Sequence, residues 1–266
     1  MNRRFGLAAA TLAAALYLPG AQAHNFWMVP SSTVMSSPQW ITVDAAVAND
    51  FFYFNHQPLR LDNLAITAPD GSSIAPENIH RGKLRSVFDV NLAKAGTYRL
   101  AIANQGLSAS YKVNGERKRW RGTAATLKDL PANAEELVVT ESISRLETFV
   151  TVGKPSKLVP TNVGLELVPV THPNDLFSGE AATFKLQVDG KPAPDIEVTM
   201  VSGGSRYRDK VDAIKVKTDA NGQFSVKWPQ PGMYWIDADA EDTKTSVPQA
   251  NKRRMAYTAT LEVMAQ

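Results

Sequence analysis

The sequence contains no cysteine, which removes disulfides, thiolate nucleophiles and thiolate metal ligands together. Stability must come from a hydrophobic core, and a chain of this size is long enough to build one. Histidine is scarce too, with four in 266 residues. Any metal site must therefore use those imidazoles, carboxylates, methionines or backbone groups. Charge of one sign is not in excess, and there is no strongly basic arm of the kind that marks a nucleic-acid binder. Beyond the first two dozen residues, no apolar run reaches the roughly 20 residues needed to cross a bilayer. Helical periodicity is almost missing; a turn or two near Thr123 to Glu136 is expected, limited by Pro131. Catalytic signatures are lacking as well. There is no Gly-x-Ser-x-Gly elbow, Gly203-Gly204 has no following helix to cradle a phosphate, and Glu135-Glu136 and Glu241-Asp242 read as surface charge. The sequence predicts a protein that is not an enzyme.

What is present begins with an export leader. Arg3 and Arg4 precede an apolar run from about Phe5 to Leu18, and Pro19-Gly20 break it. Ala21-Gln22-Ala23 then supplies the small-x-small pattern of a cleavage site, so residues 1–23 read as a secretory signal and the mature chain as periplasmic. Cleavage leaves 243 residues and takes two charges from the formal +3, so the mature chain is near +1. It also makes His24 the first residue.

The rest reads as strands. Phe88, Val90 and Leu92 alternate with Asp89 and Asn91, and Tyr98, Leu100 and Ile102 alternate again after Lys94-Ala95-Gly96. The second half repeats the pattern at Phe184 to Val188, Ile196 to Met200, Phe224 to Trp228 and Tyr257 to Val263. Period-two burial in short runs bounded by Gly, Pro, Asn and Asp predicts antiparallel sandwich sheets. Asp70-Gly71, Asp189-Gly190 and Asn221-Gly222 mark tight turns between them. Gly153-Lys154-Pro155-Ser156-Lys157 reads as a linker. The expected fold is all-β: two antiparallel β-sandwich domains, 24–157 and 158–266. The stretch Thr218 to Val226 with Pro231-Gly232-Met233-Tyr234 resembles the core of transthyretin-like and carboxypeptidase-regulatory-like sandwiches, so the second domain is expected to be an Ig-like or transthyretin-like sandwich.

The chemistry centres on His24. A free α-amine and an imidazole on one residue can chelate a metal ion, and both nitrogens deprotonate readily when a metal competes. Such donors suit nickel, cobalt or copper. Candidate further ligands are His172 and Asp175, on the loop Pro169 to Asp175, and His56, which follows the aromatic run Phe51-Phe52-Tyr53-Phe54. His172 and Asp175 could equally cap a turn, and the aromatic run could be core or a partner-facing patch. His80 reads as a solvated loop residue. The basic run Arg117-Lys118-Arg119-Trp120-Arg121 could bind an anion or an acidic partner, or could be an exposed strand face with the Trp packed beneath. Arg206 to Lys210 and Lys252-Arg253-Arg254 carry the same ambiguity.

Several motifs taken together resemble a known family. His24-Asn25-Phe26-Trp27-Met28-Val29-Pro30, Gly164 to Pro169, His172 to Leu176, Gly190-Lys191-Pro192 and Pro231 to Trp235 are similar to domain-of-unknown-function family 4198. Members of that family are often labelled nickel- or cobalt-uptake accessory proteins. The resemblance implies a soluble periplasmic metal-binding accessory protein, with an envelope transporter or outer-membrane receptor as a partner. Two alternatives stand beside it: an envelope interaction module that needs no metal, and a copper-dependent oxidative enzyme with a histidine brace.

Overall fold

The structure, a computed structural model that describes residues 25–266, is all-β. In chain order, β1 (Asn25–Pro30), β2 (Val34–Met35) and β3 (Gln39–Ala48) come first. Four short strands follow, β4 (Gln57–Pro58), β5 (Leu64–Thr67), β6 (Ser73–Ile74) and β7 (Glu77–Arg81), and then β8 (Ser86–Leu92). The 18-residue β9 (Gly96–Val113) turns into β10 (Glu116–Gly122), and a second 18-residue strand, β11 (Glu135–Val152), comes before the expected linker. Asn114 and Gly115, both at positive φ, make the turn into β10. Beyond the linker lie β12 (Leu165–Pro169), β13 (Ala181–Val188), β14 (Lys191–Pro192) and β15 (Glu197–Ser202). They are followed by β16 (Ile214–Lys217), β17 (Gln223–Lys227), β18 (Gly232–Asp242) and β19 (Lys252–Val263). The helical stretch expected near Thr123 is one 3-10 segment, Ala124–Asp129, which ends before Pro131.

These strands form three sheets. The first has the order β1-β3-β8-β7, with β4 also on β3. The second has ten strands in the order β16-β15-β18-β19-β11-β9-β5-β6, with β10 on β9 and β2 on β11. The third is β12-β13-β14, with β17 on β13. Pairing is antiparallel except along β11. That strand runs parallel to β19, Thr140 to Thr148 against Lys252 to Thr260, and parallel to the short β2. Parallel partners need a long crossover. Here nearly the whole second half of the chain lies between β11 and β19. The ten-stranded sheet therefore takes strands from both sides of residue 157.

Alternation along β11 feeds two cores at once. Leu146 and Val150 join Met28, Val43, Phe88 and Tyr98 in the first, and Phe149 joins Phe184, Phe224, Trp228 and Tyr257 in the second. A third cluster fills the space between β1 and β18. Trp27 packs against Phe52 and Phe54 with ring centroids 5.8 and 5.2 Å apart, and Phe51 packs on Trp235 at 4.9 Å. Phe51, Phe52 and Phe54 of the aromatic run are thus half-buried packing on this cluster, while Tyr53 lies against the exposed Tyr207.

The segment joining β11 to β12 is pinned along its length. Arg99 donates to the Val159 carbonyl at 2.9 Å and Arg145 to the Thr161 hydroxyl at 2.9 Å. Glu166, buried, accepts from the Thr161 and Asn162 backbone N–H groups at 2.8 and 2.6 Å, and from the Gln187 amide at 2.8 Å. A buried carboxylate needs such donors to offset its lost hydration.

Candidate functional site

The first described strand is anchored from its first residue. Asn25 pairs with Ala48, and its side-chain amide donates to the Asn49 carbonyl at 3.4 Å. The Phe26 carbonyl accepts from the Trp235 indole N–H at 3.1 Å, and Trp27 is 1% exposed. His24, the residue on which the metal expectation centres, lies outside the described residues, as does the export leader.

Beside Asn25 opens a cleft of about 400 Å³, lined among others by Asn49, Asp50, Arg208, Asp209 and Lys210. Asp50 accepts from the Asn55 amide at 2.7 Å, and the Asn55 carbonyl oxygen accepts from the Asn49 N–H at 2.9 Å, so the loop closes on itself. Arg208 is committed to structure. Its guanidinium donates to the Ser202 hydroxyl and to the Ser202 and Gly203 carbonyls at 2.8–3.0 Å, holding the loop after β15. The cleft thus offers oxygen donors from Asp50 and Asp209 at the head of β1. Neither carboxylate stood out in the sequence, because 159 positions separate them and neither belongs to a recognisable motif.

The expected companions of His24 separate into two places. His56 precedes Gln57, which pairs with Val47, so it lies at the same end of the first sheet as Asn25. His172 lies at the other end. Its Nε2 is 3.0 Å from the Thr97 hydroxyl, and Thr97 faces Thr151, whose backbone pairs with Val34 beyond β1. At about 3.3 Å per strand residue, the six residues of β1 that separate these two ends span roughly 20 Å.

His172 is also spent on structure. Nδ1 accepts from the Asn174 N–H at 3.1 Å, which leaves the proton on Nε2 for Thr97. Burial holds its pKa below the usual value, with the Ser156 backbone and Asp175 pulling the other way. Neither ring nitrogen keeps a free lone pair for a metal. Around it, the Thr151 hydroxyl donates to the Asn174 side-chain oxygen and the Asn174 amide donates to the Phe149 carbonyl, both at 2.9 Å. The loop His172 to Asp175 is therefore a staple onto the end of β11. Asp175 is exposed and closes the turn by donating its N–H to the His172 carbonyl at 3.0 Å.

Among the described residues no three of His, Asp or Glu are grouped so as to hold a metal ion. The described donors thus do not fit a metal by themselves. Also among the described residues, no helix is long and apolar enough to cross a membrane.

Two acidic features, one buried and one half-buried, escaped the sequence. Glu147, 1% exposed, lies between the Arg99 and Arg145 guanidinium groups and accepts from the Tyr257 hydroxyl at 2.9 Å. Asp237, in mid-β18, is pushed up to about 6 by burial and then by Asp239, against a hydrogen bond from Thr258. Period-two alternation places both on strands, yet it does not reveal that their faces are covered.

A family model described as "Domain of unknown function (DUF4198)" matches residues 21–242. The chain belongs to this family. No curated protein matches the DUF4198 chain. Among solved structures, the D0-D1 domain of intimin aligns over 89% of this chain and 97% of its own, at 13% identity and a TM-score of 0.24. Fibronectin(III)-like modules of Clostridium thermocellum CbhA align over 90% and 94%, at 11% identity and a TM-score of 0.23. A two-domain fibronectin type III segment of chicken tenascin aligns over 91% and 100%, at 11% identity and a TM-score of 0.22. Gly164, Glu166, His172 and Asn174 all serve to hold the junction between β11 and β12 and the loop after it. Gly164 has φ +65, and a Cβ there would meet the Ile143 side chain at 2.8 Å.

Proposed function

We propose that this DUF4198 protein is a periplasmic metal-binding accessory protein rather than an enzyme, and that it holds nickel, cobalt or copper at the head of β1. Cleavage of the leader would free the α-amine of His24, which chelates together with its own imidazole. The observation that carries this reading is the anchoring of Asn25 and Phe26 by Ala48, Asn49 and Trp235. A ligand on a frayed terminus pays an ordering cost that a ligand preceding a docked strand largely avoids. Asp50 and Asp209, which line the cleft beside Asn25, or His56 at that same end, are the residues from which a further donor would come; His172 and Asp175 are not. We retain two sandwich units, 24–157 and 158–266, the second Ig-like or transthyretin-like, and an envelope transporter or receptor as the partner.

The test compares mature protein beginning at His24 with a version carrying one extra Gly before it, each titrated with Ni(II), Co(II) and Cu(II) by calorimetry. The extra residue removes the amine from the chelate, so affinity should fall at least about tenfold. Equal affinity and stoichiometry would refute the role of the terminus. A His172→Gln variant should bind metal as the parent does.

A further inference from the structure

The long strands β9 and β11 extend past the first sheet, and β10 and β19 extend with them. One face of this extension is apolar: Leu107, Ala109, Tyr111, Trp120 and Val139 pack under Leu127, Leu130 and Val247. The other face is open, and its residues follow from the register. Arg121 pairs with Ser108, Ser108 with Thr140, and Thr140 with Lys252. One step along, Arg119 pairs with Ser110, and beyond that Arg117 pairs with Lys112. Arg254 pairs with Ser142 on the other side of Thr140. Directly paired residues share a face, so six cations border a floor of small hydroxyl side chains. Two adjoining depressions of about 460 and 510 Å³ share Ser108, Arg121 and Arg254, making one continuous trough.

The charge on this face is only partly neutralised. Glu136 serves Lys112 and Arg117, and Glu241 serves Lys252 and Arg254. Arg119 and Arg121, both exposed, have no carboxylate within ion-pair distance among the described residues. A chain whose mature net charge is near +1 thus concentrates a positive field on one strip.

We propose that this trough binds an acidic polysaccharide. Guanidinium forks match carboxylates in paired hydrogen bonds, and the Ser and Thr floor can exchange hydrogen bonds with sugar hydroxyls. Same-face cations recur about every 7 Å along a strand, a repeat suited to a polymer of regularly spaced charge. The face favours this ligand over two others. Single-stranded nucleic acid needs aromatic platforms for its bases, and Trp120, which borders the trough, has its ring packed with the apolar cluster of the opposite face. A protein partner needs a central apolar or aromatic anchor, and Val138 is the one apolar side chain among the trough's register pairs. The proposal involves neither His24 nor a metal.

Calorimetric titration of the metal-free mature protein with polygalacturonate, in 50 and 150 mM salt, tests it. Arg119→Ser/Arg121→Ser should weaken binding about tenfold and flatten its salt dependence. The control Lys154→Ser/Lys157→Ser removes the same charge from an exposed segment elsewhere and should bind as the parent does. Arg121→Glu alone should abolish binding, with an unchanged melting temperature showing that the fold is intact. Absence of parent binding, equal loss in both double variants, or equally tight binding of an oligo-dT strand would each overturn the proposal.

Discussion

Tyr257 on β19 donates its phenolic hydrogen to Glu147 on β11 at 2.9 Å, across the parallel seam that joins the two halves of the chain. Glu147 is at the same time the counter-ion of Arg99 and Arg145, whose side chains are only 12% and 10% exposed. The arginines in turn hold the segment between β11 and β12 through Val159 and Thr161. One carboxylate thus fixes both the seam and the crossover.

Removing that charge should cost far more than removing the hydroxyl. Glu147→Gln leaves two buried guanidinium groups without a counter-ion, a loss of roughly 3–5 kcal/mol. Tyr257→Phe keeps the ring in the core and gives up one hydrogen bond, about 1–2 kcal/mol. Urea denaturation of the two variants at pH 7.5 measures the difference, and equal midpoints would contradict the assignment.

His172 should make stability fall with acid. Its folded pKa is depressed by burial, so the neutral ring is the form the fold prefers. The stabilisation is complete above the unfolded value near 6.5 and is lost as pH drops through the lower folded value. Protonation would turn Nδ1 into a donor facing the Asn174 N–H, which it now accepts. The stability difference between parent and His172→Gln should therefore shrink from pH 7.5 to pH 5. A difference independent of pH would show that the ring does not titrate with folding.

Much of this architecture was legible in the residues, and what was not has a physical cause. Strands around Phe88, Tyr98, Phe184, Phe224 and Tyr257 follow from alternation, because one buried face imposes period two. Alternation does not say what covers the other face. It places Leu146 and Phe149 on opposite faces of one strand but could not say that each face meets a separate core. The parallel β11–β19 pairing has no local signature, since it joins residues about 110 positions apart. At the candidate site, His172 has the residue type and neighbours of a ligand, and the tertiary position of Thr97 decides that it is a staple. Asp50 and Asp209 come together through the folding of two distant loops, which spacing cannot report.

Asp237 works in the opposite sense to His172 across an overlapping range of pH. Its folded pKa, raised to about 6, exceeds the ordinary carboxylate value of 3.8. The folded state therefore holds the proton more tightly than the unfolded chain, and stability declines as pH rises from about 4 to 6. Asp237→Asn removes the ionisation while keeping an oxygen that can accept from Thr258. The variant should be more stable than the parent by roughly 2 kcal/mol at pH 7.5 and nearly equal to it at pH 4. Melting curves at the two pH values check this, and a gain of the same size at both would point to packing instead of charge.

The docking of β1 on β18 can be loosened without emptying the core between them. Trp235→Phe keeps an aromatic ring against Phe51 but deletes the N–H that reaches the Phe26 carbonyl. Loss of that bond should cost about 1–2 kcal/mol, whereas Trp27→Ala, which opens a cavity between Phe52 and Phe54, should cost about 3–5 kcal/mol. The two losses differ in where they are felt. In Trp235→Phe, hydrogen exchange should quicken at the Asn25 to Trp27 and Val47 to Asn49 amides and stay unchanged at Tyr98 to Ile102, in the first core. If metal is held where β1 begins, the same variant should bind it more weakly although the protein remains folded, because the ligand then precedes a strand that is no longer held in place. Unchanged exchange at Phe26 would show that the Trp235 bond does not anchor the strand.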